Sequence, residues 1–327
     1  MSNWIVSAYN AAPPTTDRDQ HGRFLDAITR LPGVGGLEIP YAGALSAGDE
    51  RWLLRRVHTR RDYVITTIPD TMNHVERDAR NGLASLDDAG RAAAVQRVGH
   101  VADVVRRCHD AAGARVVRAV TLYSAPRSLA GGSSATALAR SLLELAEFDW
   151  NGARLVVEHC DAPMAARPVV KGFLPLETEV EAVALARERT GTDFGILLNW
   201  GRSMVEQRSV DGVLGHIALV RSAGLLAGLT LSGCSPIATP YGPAWDDCHA
   251  PPRPICPSSE LDLATATTAL AAAGSVPFLG VKVSAPVGAD VATRIATVAR
   301  TLCWVRAARL EARAEVAARP SPVDSCC

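Results

Sequence analysis

Eight short apolar runs recur along the chain, at Trp4–Ala8, Gly36–Pro40, Tyr63–Ile68, Val116–Leu122, Leu155–Glu158, Phe194–Leu198, Leu226–Leu231 and Phe278–Val283. They are dense in Val, Ile and Leu, and most close on polar or turn-forming residues. Strands covered on both faces read as near-continuous apolar runs, the pattern of a parallel sheet layered by helices. Helical periodicity fills most of the intervals, at Asp19–Arg30, Asp49–Thr59, Leu86–Ala112, Ser134–Glu147, Leu176–Thr190, Val210–Ala223, Ser259–Ala273 and Ala289 to about Ala318. Acids at Glu177, Glu179 and Glu181 suit a helix start, and Gly113, Gly224 and Gly274 suit helix ends. Strand and helix alternating eight times predict an α/β fold, a single (β/α)8 TIM barrel with its chemistry at the carboxyl ends of the strands.

With 327 residues the chain exceeds a typical single barrel, and no Gly/Ser-rich or charged linker divides it. One domain over 1–319 is expected, followed by a flexible tail at 320–327 that carries Cys326 and Cys327. Long connections follow the third, fifth and seventh strands, at Pro69–Ser85, Asp161–Pro175 and Gly233–Ser258. All three are expected on the catalytic face, where long loops form lids.

Charge narrows the function classes. Thirty-four basic residues balance thirty-four acidic ones and aromatics are 5%, so neither a phosphate-binding surface nor a base-stacking platform is indicated. The first residues lack the pattern of a signal peptide, and no apolar run spans a bilayer. A cytoplasmic protein with a small-molecule substrate is expected, without nucleic-acid or membrane partners and with the oligomeric state open. The eight cysteines have no C-x-x-C spacing. No Walker, G-x-G-x-x-G or G-x-S-x-G pattern occurs.

Of the basic residues only Lys171 and Lys282 are lysines, a usage that with abundant Ala fits a GC-rich bacterial genome. Lys282 lies inside an apolar strand. It either neutralises a buried carboxylate or works in a site, since a buried ammonium has a tunable pKa that Arg lacks. The other strand ends supply Glu38 (GLEIPY), Asp70 (TTIPD), Glu158, His159 and Asp161 (VVEHCDA), Asn199 and Arg202 (LLNWGRS), Ser232, Cys234 and Ser235 (LTLSGCSP) and Ser284 (GVKVSAP). Glu38 and Glu158, inside apolar strands, require cationic, metal or hydrogen-bonding partners.

These segments, with KGFLPLETEV and the eight-strand comb, resemble an uncharacterised bacterial family of the xylose-isomerase-like TIM-barrel superfamily, which includes sugar isomerases and epimerases. The resemblance implies a divalent metal on Glu after the fifth strand, Asp after the sixth, His after the seventh and Glu after the eighth. Only Glu158 matches; Asn199 replaces Asp, SGCS offers no His, and Lys282 stands where Glu is expected. Hard cations prefer several oxygen ligands, and an ammonium repels them, so no metal and no other cofactor is expected. A divalent metal, if present, would fall to Glu158 with Asp247 and His249, or to Glu158, His159 and Asp161, although alternation sends Glu158 and His159 to opposite faces.

The resulting expectation is an isomerase- or epimerase-like enzyme acting by proton transfer on a small polar, carbohydrate-like molecule. Glu158, Lys282 and Glu38 are the catalytic candidates, with Glu158 as base and Lys282 polarising the oxygen. His159, Asn199, Arg202, Trp245, His249 and Lys171 are the substrate-binding candidates. The alternatives are a metal-independent lyase or aldolase using Lys282 as an imine-forming amine, and a non-catalytic small-molecule-binding barrel.

Overall fold

The computed structural model describes residues 4–46, 49–128, 132–165 and 167–318; the tail expected at 320–327 lies outside them. Eight parallel strands, β1 (Trp4–Ser7), β2 (Val34–Pro40), β3 (Asp62–Thr66), β4 (Val117–Leu122), β5 (Arg154–Glu158), β6 (Gly195–Asn199), β7 (Leu226–Leu231) and β8 (Phe278–Lys282), pair in sequence order. β1 also pairs with β8, Ser7 opposite Lys282, and closes the barrel. The helices are α1 (Arg18–Arg30), α2 (Glu50–Leu54), α3 (Ile68–Arg77), α4 (Asp88–Ala112), α5 (Ala135–Ala146), α6 (Leu176–Thr190), α7 (Trp200–Gln207), α8 (Val210–Ser222), α9 (Leu263–Ala273) and α10 (Val291–Ala318). The fold is the single (β/α)8 barrel that the apolar comb predicts.

Alternation along the strands builds the interior in layers. Ile5, Val64, Ala119, Val156 and Leu197 form one apolar cluster. Two residues further along the same strands come Ser7, Thr66, Thr121, Glu158 and Asn199, all buried. The barrel is therefore filled with hydrocarbon at one level and with polar groups at the next, toward the strands' carboxyl ends. Close packing explains Gly36 in β2, where a Cβ would lie 1.9 Å from the Asp62 carbonyl oxygen.

Two helices escaped the periodicity. α3 begins at Ile68, the last residue of the expected third strand, and takes up the first half of the stretch expected as the loop Pro69–Ser85, because Pro69 fits a first helical turn. Asp70 sits in that turn and pairs with Arg97 at 2.9 Å. α7 starts directly after β6, and the Asn199 side chain caps it by accepting from the backbone N–H groups of Gly201 and Arg202. The helix expected from Ser259 starts at Leu263, where Asp262 and Thr265 form a reciprocal capping box. α2 is shorter than expected and ends at Leu54. Among the described residues, no helix is long and apolar enough to cross a membrane.

Candidate active site

Glu38, Glu158, Asn199 and Lys282 come from four strands and converge at the carboxyl-terminal mouth. Lys282 Nζ lies 3.2 Å from Glu38 Oε1 and 3.8 Å from Glu158 Oε1. The first turn of α7 sends Arg202 over the same carboxylate, with one guanidinium nitrogen 2.9 Å from Glu158 Oε1 and Nε 3.0 Å from Asp247 Oδ2. Lys171 reaches Asp247 at 3.4 Å, and His249 Nδ1 is 3.2 Å from the other oxygen of Asp247. Glu158 and Lys282 are each 1% exposed. The long connection after β7 supplies Asp247 and His249 and closes the mouth. Its Trp245 and His249 both have left-handed backbones, φ 53° and 52°, a conformation that segments held in place by their surroundings retain at functional sites.

The two glutamates differ in how fully they are engaged. Glu158 takes Arg202, Lys282 and, at 3.5 Å, the Asn199 amide on Oε1, and the Tyr123 hydroxyl on Oε2. Its charge is therefore met by two cations, Arg202 and Lys282. Glu38 has two recorded partners, Lys282 on Oε1 and the Ser7 hydroxyl on Oε2. It also lines, with Tyr9, a mainly apolar cavity of about 300 Å³ between β2, α1 and α2.

Electrostatics separates them further. Burial pushes the Glu38 carboxyl above its usual range, and the Lys282 ammonium only partly offsets this. Burial acts the same way on Glu158, but Arg202 and Lys282, with the Tyr123 hydroxyl, overcome it and hold that carboxyl below its usual range. Desolvation opposes the charge on Lys282, yet Glu158 and then Glu38 raise its pKa well above the ordinary lysine value. Asp247 is held low against its burial by Arg202, His249 and Lys171. Burial lowers the pKa of His249 to about 3, so its ring is neutral at pH 7. Burial raises the Tyr9 hydroxyl to about 12.

Several expected site residues take other places. His159 follows Glu158 and turns to the opposite face of the strand, with Nδ1 2.7 Å from Glu179 and Nε2 3.0 Å from Glu206. Burial disfavours its charge, but the two carboxylates raise its pKa to about 10. Asp161 accepts the backbone N–H groups of Val170 and Lys171 and so shapes its loop. Trp245 lies under the Arg208 guanidinium, 4.9 Å from ring centroid to carbon. Asn199 spends its carbonyl oxygen on the α7 cap and on the Ser232 hydroxyl at 2.8 Å. Reading strand ends missed Tyr9, two residues after β1, and Tyr123, directly after β4.

The four metal positions implied by the superfamily do not fit a divalent cation. They hold Glu158, a capping Asn199, the neutral Ser232 hydroxyl and the Lys282 ammonium, and Arg202 already bridges Glu158 to Asp247. The set Glu158, Asp247 and His249 fails for the same reason, because the guanidinium occupies the space between the two carboxylates. Three carboxylates, Glu38, Glu158 and Asp247, face three cations, Lys171, Arg202 and Lys282, so an added cation meets an already compensated cluster.

The chain is a closed barrel with buried acids and bases at its carboxyl-terminal mouth, and comparison with known proteins gives its family and its relatives in fold. Residues 5–297 match the domain of unknown function DUF4862. The chain is 34% identical over 264 residues to a protein of Salmonella typhimurium strain LT2 described as uncharacterized protein STM3670, covering 79% of this chain and 81% of that one. The chain belongs to the DUF4862 family. Among solved structures it resembles a xylose isomerase-like TIM barrel/4-hydroxyphenylpyruvate dioxygenase fusion protein, with TM-score 0.59 and 14% identity, over 99% of this chain but 45% of the fusion. It also resembles a putative xylose isomerase from Rhodospirillum rubrum, with TM-score 0.59 and 13% identity over 94% of this chain and 99% of that one. A D-psicose 3-epimerase solved with D-fructose aligns with TM-score 0.55 and 14% identity, over 94% of this chain and 99% of the other. These likenesses establish a shared fold.

Proposed function

We propose that this barrel is an isomerase or epimerase that moves a proton next to the carbonyl of a small polyhydroxylated substrate, with Glu38 and Lys282 in place of metal-assisted chemistry. One observation carries the reading: two buried carboxylates share one ammonium, but Glu158 has a second cation, Arg202, whereas Glu38 has Lys282 alone and borders a cavity. Environments that push two acids apart assign their roles. Glu38, with its pKa raised, removes the proton from carbon and returns it; Glu158, ionised between two cations, fixes Lys282 and Arg202. The Lys282 ammonium donates a hydrogen bond to the carbonyl oxygen and stabilises the negative charge that gathers there when the C–H bond breaks. Proton and electron pair both return to the substrate, so no redox partner is needed. Similarity of fold to the named isomerases and to the D-psicose 3-epimerase supports the substrate class.

The imine-forming alternative needs a neutral lysine. Two carboxylates hold Lys282 protonated, which counts against that reading. The proposal is tested by incubating chelator-treated protein in D2O with a panel of unphosphorylated and phosphorylated 2-ketoses. Deuterium entering the carbon beside the carbonyl, followed by NMR, is the expected result. Exchange that appears only after Mg²⁺ is restored would overturn the metal-independent mechanism.

A further inference from the structure

On the outer side of β5 a second polar cluster lies apart from the barrel centre, and the proposed reaction does not use it. His159 Nε2 is 3.0 Å from Glu206 Oε2, and His216 Nε2 is 3.4 Å from Glu206 Oε1. The ligating atoms of the three residues all lie within 4.8 Å of one another, and all three side chains are buried. Four ligands about 2.0–2.2 Å from a tetrahedral zinc ion lie roughly 3.3–3.6 Å apart, a spacing that the two histidine contacts to Glu206 already match and that the rest of the set reaches by drawing in about 1 Å.

The outer atoms of both rings are also fixed. His159 Nδ1 bonds to Glu179 Oε2 at 2.7 Å, and the Ser124 hydroxyl donates to the other oxygen of Glu179. His216 Nδ1 lies 3.1 Å from the Ser203 hydroxyl. A carboxylate or hydroxyl behind each imidazole turns the remaining nitrogen toward a common point, which is how metal-binding histidines are held. Gln207 closes the fourth side, its amide nitrogen 3.0 Å from His216 Nε2 and 2.9 Å from Glu206 Oε1. Rotation of that amide presents its oxygen instead. With both rings neutral, Glu179 and Glu206 together carry two negative charges, matching one divalent ion.

We propose that His159, Glu206 and His216 form a structural site for a borderline transition cation of the zinc class. Two imidazoles and a carboxylate suit Zn²⁺ better than Mg²⁺ or Ca²⁺, and the buried, closed geometry is that of a structural rather than a catalytic centre. Binding replaces the proton on His159 Nε2 and releases it. The ion ties the end of β5 to α7 and α8. Glu206 also accepts the Ala162 N–H, and Arg167 donates to the Glu206 carbonyl, so the clamp extends into the loop that carries Lys171.

The test uses the full chain, stripped by chelator and titrated with Zn²⁺ alone and with Co²⁺ alone. One equivalent retained per chain after desalting is expected, with a rise in Tm and visible absorption typical of four-coordinate Co²⁺. Retention should persist in Glu158→Gln and Glu38→Gln, vanish in His216→Gln, and weaken about 10–100-fold in Glu179→Gln, where only the supporting carboxylate changes. Folded wild-type protein that retains no Zn²⁺ would refute the site and leave His159 as an imidazolium between two carboxylates. Retention in folded His216→Gln, or loss in folded Glu158→Gln, would equally refute it. Should His216→Gln fail to fold, the wild-type stoichiometry and the Glu179→Gln affinity decide.

Discussion

Glu158 and His159 are neighbours in sequence at the end of β5 yet serve separate centres: Glu158 reaches into the barrel to Arg202 and Lys282, and His159 turns outward between Glu179 and Glu206. Strand alternation enforces this division, since consecutive side chains leave opposite faces. The dipeptide thus couples the barrel interior to the helices behind it.

Removing the charge of Glu158 leaves Lys282 and Arg202 partly uncompensated in a buried cluster. Glu158→Gln should lower unfolding free energy by about 3–5 kcal/mol, measured by denaturant titration. Adding Lys282→Met should recover only part of that loss, because Arg202 still lacks its partner at 2.9 Å and Glu38 loses its own cation. Full recovery in the double variant would show that Arg202 contributes nothing through Glu158.

Because burial raises the Glu38 carboxyl above its ordinary 4.5, the base form is reached only at higher pH. The acid limb of kcat/KM should therefore lie above pH 4.5 and rise with pH as Glu38 loses its proton. An acid limb at or below 4.5 in the pH–rate profile would contradict the assignment.

His249 gives stability the opposite kind of handle. Its folded pKa is lowered to about 3 from 6.5, so as pH falls below 6.5 the unfolded chain takes up a proton that the folded chain refuses. Stability is then lost with falling pH, by about 2 kcal/mol between pH 6.5 and 5 for one such group. His249→Gln should flatten that part of the profile in denaturant unfolding at the two pH values. An unchanged slope would show that the ring protonates in place beside Asp247.

Packing between strands makes its own demand. Gly36→Val should abolish or severely reduce soluble folded protein, because even a Cβ meets the Asp62 carbonyl oxygen at 1.9 Å and the Ile5 side chain at 2.8 Å. Circular dichroism and thermal unfolding would detect the loss; a Tm equal to wild type would show that β2 and β3 can separate without cost.

The barrel was legible because burial on both faces leaves a plain mark, an apolar run, at every strand. α3 and α7 left no such mark: α3 opens on Pro69, and α7 is eight residues long with Gly201 in its first turn. Glu38, Glu158 and Lys282 stood out as charges inside apolar strands, and desolvation does require them to find one another. The relation between Glu206 and His216 was hidden, since each lies on a helix and only packing against β5 brings them to His159. The contact of Trp245 was hidden too: its place in a long loop pointed to a lid, and nothing in the sequence pairs its ring with Arg208.

The most direct test of the central claim compares wild type with Glu38→Gln, an isosteric change that keeps the acceptor for Lys282 and removes the titratable group. Solvent deuterium incorporation into the responsive 2-ketose is measured for both, in chelator-treated protein of equal Tm. Loss of the proton-transferring carboxyl should slow incorporation by about 10²–10⁴-fold while leaving KM within a few-fold. Incorporation by Glu38→Gln at the wild-type rate would contradict the account.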